Sequence, residues 1–384
     1  MENGSNYNTP RPQGAPVRRT ANKKRSPLAS VGKIALVFVV TVVFILSTAL
    51  ISVKMICGNT SPAAKQMFVT TLLETGQMKW FASLFLSADE IKALVDGNSM
   101  DRFTGEIDTS LIVIDGSSDH ESGQSGESGE SGGGTRPTDG IEIKTISGRT
   151  FSATMMIIKN PSRVSVATTW PFGEYGKTLA EIVEANGAIA GINGGLYSSY
   201  NNTGGYPFGV VVENGNIRRN IPNEQTGLYL IGLTENNILQ IIDMQGKTAA
   251  EMEQIIKEKK IRDAVTFQEE ASDSNNHFVT LILNGESRTL NGYGSGLNPR
   301  TAIGQRADGA LLLLVTDGRG SQGHLGASAS DLISIMEEYG AVNAANLDGG
   351  SSSCMYYNHD YLMDSVTFYY KNTSWRLPFA FVVK

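Results

Sequence analysis

The sequence predicts an α+β protein: a mixed, largely antiparallel β-sheet with a few packing helices, preceded by a single transmembrane helix and a helical stalk. Three observations lead there. Short β-rich runs alternate with turn residues through the last two-thirds of the chain, and two of them end in Asn-Gly, at Asn214-Gly215 and Asn284-Gly285, the preferred dipeptide of tight hairpins. Only three segments of that region carry apolar residues at helical spacing. One long stretch near the N-terminus is apolar and free of charge.

In chain order, residues 1–33 are polar and hold seven basic residues against the single acid Glu2, a composition that predicts a disordered cytoplasmic tail. Residues 34–53 lack any charge and match the roughly 20 residues needed to cross a hydrocarbon core. A cleaved signal peptide has a shorter apolar core and a small-residue cleavage site, so the expectation is an uncleaved anchor. Its basic N-terminal flank orients the tail inward and the remainder outward. Residues 54–116 are expected to form a helical stalk, with Met67, Leu72, Leu73, Trp80, Phe81, Leu84 and Phe85 recurring every three or four positions. Ser87 and Glu90 are placed as a capping box ahead of Ile91. Residues 117–139 are rich in Gly, Ser and Glu, with no apolar run, and read as a linker. Residues 140–384, about 245 in all, are the folded domain.

Charge separates the two sides. Beyond residue 33 the chain carries 25 basic residues against 37 acids, a net of about −12. Such a surface does not displace the counterions of a polyanion, so nucleic acid is excluded as a partner. Two cysteines, Cys57 and Cys354, make no disulfide framework, and four dispersed histidines make no zinc site. No cofactor is required, although the acids leave room for a divalent cation such as Ca²⁺ or Mg²⁺. Oligomeric state is not encoded in any pattern here.

Within the domain, 141–146, 150–159, 163–169 and 310–315 read as strands, and Lys177–Asn186, Thr248–Lys260 and Ser328–Tyr339 as helices, the last stopped by Gly340. Four segments share one style, polar residues among glycines after an apolar run. They are Ala188 to Tyr197 with Asn193-Gly194-Gly195, Asn298-Pro299-Arg300-Thr301-Ala302-Ile303-Gly304, Leu314 to Gly320 with Asp317-Gly318-Arg319, and Asn346-Leu347-Asp348-Gly349-Gly350-Ser351-Ser352-Ser353. Glycine pairs allow close backbone approach, a carboxylate accepts a proton or holds a cation, and serial N–H and O–H donors surround an oxyanion. Each is also a credible turn taken alone. If their strands lie side by side, the four ends line one pocket.

The order Asn-Gly-Gly, Arg-Thr-Ala-Ile-Gly, Asp-Gly-Arg, Asn-Leu-Asp-Gly-Gly-Ser-Ser and a late Arg376 before a last apolar strand resembles the phosphodiester glycosidase family over about residues 140–384. One departure is Ser351, a hydroxyl where the family often carries glycine. The resemblance implies hydrolysis of a glycosyl-1-phosphodiester. A phosphomonoester is already a good leaving group, so charge neutralisation matters more than protonation. Arg300, Arg319 or Arg376 would grip phosphate oxygens bidentately, helped by Thr301, Gly349, Gly350, Ser351 and Ser352. Asn193 and Gly194 would hold the sugar or phosphate. Asp348, then Asp317, would be nucleophile or base, with Glu213 and His324 in reserve. The expected protein is a membrane-anchored extracellular hydrolase of phosphodiester-linked glycans in an exopolysaccharide or cell-wall polymer. Two alternatives stay open: a non-catalytic glycan-binding module stacking sugars on Tyr197, Tyr200, Tyr206, Tyr293 and Tyr356, and a cation-dependent phosphodiesterase with Asp317 and Asp348 as ligands.

Overall fold

The computed structural model describes residues 27–58, 61–75, 79–114, 140–272, 275–366 and 371–384. Most of the basic tail and the linker expected at 117–139 lie outside the described residues. Two compact units divide the chain, 1–55 and 56–384. The first contains most of helix α1 (Pro27–Cys57), whose stretch Val31–Cys57 is long and apolar enough to cross a membrane. At 1.5 Å per residue this helix exceeds the roughly 30 Å of a hydrocarbon core.

The second unit opens with α2 (Pro62–Leu73), α3 (Lys79–Ala82) and α4 (Ala88–Asp96). Ser61 caps α2, and Ser87 and Glu90 form a reciprocal capping box on α4, satisfying N–H groups that the first turn leaves unpaired. The segment expected as a stalk packs on the β-rich part of the same unit. Thr71 Oγ1 accepts from the Leu297 N–H (2.9 Å), Asn98 Oδ1 accepts from the Tyr293 N–H (2.8 Å), and Met100 bridges Leu290.

Among the described residues nineteen strands follow, and every ladder is antiparallel, in keeping with the α+β class expected. The largest sheet has seven strands in the order β1 (Ile141–Ser147), β2 (Ser152–Ile158), β15 (Leu311–Thr316), β14 (Thr301–Arg306), β16 (Ala341–Asn346), β12 (Thr280–Leu283), β13 (Glu286–Ser287). A second runs β18 (Asp360–Met363), β17 (Met355–Tyr357), β4 (Ala190–Asn193), β19 (Phe379–Val383), β3 (Val164–Thr168). A third runs β6 (Asn216–Asn220), β5 (Val210–Glu213), β9 (Ile261–Gln268), β7 (Leu228–Thr234), β8 (Leu239–Asp243). A small hairpin, β10 (Glu270–Ser272) with β11 (Asn275–His277), completes the set. Both Asn-Gly pairs turn hairpins with positive φ at each residue, as that turn requires.

The main core lies between sheets, where Met156, Ile303, Leu313 and Val315 meet Ile192, Phe381, Ile231 and Val265. Three helices close the outer faces: α5 (Leu179–Ala185), α6 (Ala249–Glu258) and α7 (Ala329–Glu338), each started by a capping box. Their apolar stripes are buried, with Leu332, Ile335 and Met336 of α7 against Leu312 and Leu314, for example.

This topology places the glycine-rich segments. Because β14 runs opposite to both neighbours, its start at Thr301 lies beside the end of β15 (Thr301 pairs Val315) and the end of β16 (Ala302 pairs Asn346). From β16 the chain leaves the seven-stranded sheet through 347–354 and enters β17, where Met355 pairs Ile192 of β4. The crossing between two sheets is the Asp-Gly-Gly-Ser-Ser-Ser segment.

Candidate active site

A loop that bridges two sheets must be clamped at both ends, and Asn193 does this with one amide. Its Nδ2 donates to the Asp348 carbonyl (2.6 Å), while its Oδ1 accepts from Thr301 Oγ1 (2.8 Å) and from the Cys354 N–H (3.1 Å). Asn193 is 1% exposed, so these bonds are made away from water and fix the loop firmly. Backbone contacts add the Asp348 N–H to the Gly194 carbonyl (3.2 Å), Leu347 to Thr301 (2.8 Å) and Gly350 to Pro299 (2.8 Å). Two of the four segments thus leave β15 and β16, a third leads into β14 between them, and the fourth reaches in from another sheet.

Two glycines explain how the backbone fits so tightly. A Cβ on Gly350, at φ +63°, would stand 2.7 Å from Arg319 Nη2, and one on Gly195 would stand 1.9 Å from the Thr266 carbonyl oxygen. The absence of a side chain at 350 lets the Arg319 guanidinium lie over the turn.

Asp348 is half-buried, with its Oδ1 accepting from the Gly349 N–H (3.0 Å) and a further bond from Ser352. Burial pushes its carboxyl up to about 7; Ser352, the Gly349 N–H and Arg319 pull the other way and only partly offset it. At neutral pH the group is divided between acid and carboxylate. Tyr197 is buried and bonded to Ser352 Oγ (2.9 Å), and burial lifts its phenol well above the ordinary tyrosine value, keeping it neutral.

Arg319 is the exposed cation of the cluster. Its Nε donates to Asn298 Oδ1 (3.2 Å) and its Nη1 to Ser351 Oγ (2.9 Å), so the residue that departs from the common glycine pattern is a direct partner of the guanidinium. Arg319 itself adopts φ +52°. Desolvation, then Arg300, lowers its pKa, with Asp348 and Glu74 acting in the opposite sense; a guanidinium stays charged regardless.

The other expected residues are placed differently. Arg300 is 6% exposed, with Nη2 donating to Glu74 Oε2 (2.5 Å), Ser295 Oγ (3.0 Å) and the Gly296 carbonyl (2.8 Å), Nε donating to the Ala327 carbonyl (3.2 Å), and its guanidinium 5.0 Å from the Phe278 ring. Asp317 is 2% exposed, accepts from the Ser152 N–H (2.7 Å) and pairs with His324 Nδ1 (2.6 Å). Arg376 donates to the Gly176 carbonyl (3.1 Å) beside the start of β19. Glu213 is held by the Thr168 N–H (2.7 Å) and Arg218 (2.8 Å). Of the tyrosines considered for sugar stacking, Tyr197 and Tyr356 are buried, so the stacking expected of these two is corrected; Tyr200, Tyr206 and Tyr293 are exposed. Both cysteines are free thiols. Among the described residues no three His, Cys, Asp or Glu side chains gather as a metal centre would need.

Sequence reasoning missed Glu74, Ser295 and the full role of Asn298. Nothing in a stalk-like pattern marks Glu74 as a partner of Arg300, some 226 residues away.

The model of the phosphodiester glycosidase family matches residues 186–384, more than half of the chain. The chain belongs to the phosphodiester glycosidase family. All four glycine-rich segments of the glycosidase lie inside the matched region. A curated relative, the SPbeta prophage-derived uncharacterized protein YomE of Bacillus subtilis, is 46% identical over 56 residues, 15% of this chain; the chain spans about 8% of that relative's length. Among solved structures, the zebrafish N-acetylglucosamine-1-phosphodiester α-N-acetylglucosaminidase catalytic domain, auto-inhibited by its pro-peptide, is 17% identical with a TM-score of 0.48, covering 63% of this chain and 81% of that one. A hypothetical protein from Synechocystis is 18% identical with a TM-score of 0.42, covering 65% of this chain and 63% of that one.

Proposed function

We propose that this glycosidase is anchored in the cell membrane by α1, with the C-terminal unit outside the cell, and that it cleaves the sugar C1–O bond of glycosyl-1-phosphodiesters in a surface polymer such as an exopolysaccharide or a teichoic-type chain. The observation that carries the reading is Asp348, a carboxyl raised to about 7, in the turn whose Ser351 and Gly350 lie against the one exposed guanidinium of the described cluster, Arg319, which pulls on its charge.

In this reading the phosphate of the substrate lies against Arg319, with Ser351 and the Gly349–Gly350 backbone supplying further donors. As C1–O breaks, the electron pair moves to the phosphate oxygen, and the guanidinium neutralises the developing dianion in a partly desolvated site. Ionised Asp348 either attacks C1 and is later displaced by water, or takes the proton of a water that attacks C1. Both routes need the carboxylate form, and both put the water oxygen on the sugar. Arg300 and Asp317 act as struts beneath this surface, and an anchor keeps the enzyme beside an immobile polymer.

The test is hydrolysis of a synthetic glycosyl-1-phosphodiester by the full chain in detergent micelles, in water enriched in oxygen-18. Label in the released sugar supports the proposal. Label in the phosphate instead means P–O cleavage and overturns it, as does the absence of turnover across a panel of sugar-1-phosphodiesters.

A further inference from the structure

A buried carboxylate from the membrane-proximal segment is wired into the Asp348 cluster. Glu74 follows the last turn of α2, and its side chain is 4% exposed. Three donors converge on it: the Gly296 N–H on Oε1 (2.6 Å), Asn298 Nδ2 on Oε2 (3.0 Å) and Arg300 Nη2 on Oε2 (2.5 Å). A carboxylate only accepts, so Asn298 must turn its amide nitrogen toward Glu74. Its Oδ1 then faces Arg319 Nε (3.2 Å), whose other arm reaches Ser351 above the Asp-Gly-Gly turn.

We propose that Glu74 is a positioning residue of the active site, fixing the Asn298 amide and through it the Arg319 guanidinium that receives the substrate phosphate. This rests on the reading of Arg319 given above. The membrane-proximal segment is then part of the active site rather than a spacer.

The isosteric change Glu74→Gln isolates the effect. If the glutamine oxygen faces Asn298 and Arg300, its NH₂ confronts the Gly296 N–H. Turned over, it meets Arg300 donor to donor and flips Asn298, whose Nδ2 then confronts Arg319 Nε. Either arrangement loosens the chain of bonds. Thr71→Ala is the control, since Thr71 docks the same helix end onto Leu297 without joining the Glu74–Asn298–Arg319 line.

Two readouts on the full chain in micelles test the idea. One is the carboxyl carbon-13 titration of Asp348, which needs no substrate. The charged and titratable groups set around Asp348 are Arg319, Tyr197 and Cys354. Releasing Arg319 raises the Asp348 midpoint, by roughly half a unit or more, whereas loss of the Glu74 charge acting only through space lowers it. The other readout is kcat/KM, expected to fall roughly 10- to 100-fold, chiefly through KM. Thr71→Ala is expected to lower thermal stability while leaving both readouts in place. Asn298→Ala, which keeps the Glu74–Arg300 pair, is expected to reproduce the upward shift and serves if Glu74→Gln does not fold. A midpoint that falls or stays fixed in the variants, or that moves equally in Thr71→Ala, overturns the proposal. Inactivity of the wild type toward phosphodiesters sinks the glycosidase reading alone, because the titration still reports on Glu74.

Discussion

Two Asp-Gly turns leave the strands that flank β14 in the seven-stranded sheet, and they have opposite characters. Asp317, after β15, is held by a backbone N–H and an imidazole and is almost fully buried. Asp348, after β16, has a backbone N–H, a hydroxyl and a guanidinium that does not ion-pair with it directly, and its carboxyl is raised to about 7. The arginines divide in the same way, Arg300 locked to Glu74 and Arg319 left at the surface. The lesson is that the dipeptide supplies the group, and the number and charge of its partners set how far its carboxyl is shifted and how open it is to solvent.

The widest separation between the two turns should be in turnover. Asp348→Asn is expected to lower kcat by about a thousandfold or more with the fold intact, whereas Asp317→Asn should retain kcat within about tenfold and lose about 1–3 kcal/mol of stability in a denaturant titration. Comparable losses of kcat in both variants would erase the distinction. The arginine pair sharpens it: Arg319→Ala should lower kcat/KM by about 100-fold without a large change in thermal midpoint. Arg300→Lys should instead reduce stability, since a lysine cannot reproduce the planar array of bonds to Glu74, Ser295, Gly296 and Ala327.

The sequence revealed elements whose causes are local. Asn-Gly hairpins, the Ser87 capping box and the apolar run of β15 depend on neighbours a few residues away. The four segments were legible as a set because three of them end an apolar run and the fourth, 298–301, leads into one. What could not be read was the division of labour within that set. Arg300 leads into β14 and Arg319 follows β15 at the same end of the sheet, and only the arrival of Glu74 from far along the chain buries one of them. Likewise, no spacing shows that 347–354 crosses between sheets, or that the segment resembling a stalk packs on the loop at 290–298. Sheet order arises from long-range pairing, which a single sequence does not display.

Smaller effects refine the picture of Asp348. A carboxyl whose native pKa lies above its ordinary 3.8 binds a proton more tightly when folded, so its contribution to stability declines as pH rises from about 4 to 7. Asp348→Asn should therefore be more stable than wild type at pH 8, by about 1–3 kcal/mol, with the gain vanishing near pH 4. Equal stability of the two proteins at both pH values would mean that the carboxyl is not desolvated. Gly350→Ala should strain the left-handed backbone and push against Arg319, with a loss of about 1 kcal/mol and a roughly tenfold lower kcat/KM. An alanine variant of wild-type activity would show that Arg319 need not lie over the turn.

The most direct test of the account is the pH dependence of kcat/KM for a glycosyl-1-phosphodiester between pH 5 and 9. Under the proposed mechanism, which uses the Asp348 carboxylate, the rate should climb tenfold per pH unit on the acid side and level off above an apparent pKa of about 7. A rate that is level from pH 5 upward, or that declines through pH 7, would contradict the role assigned to Asp348.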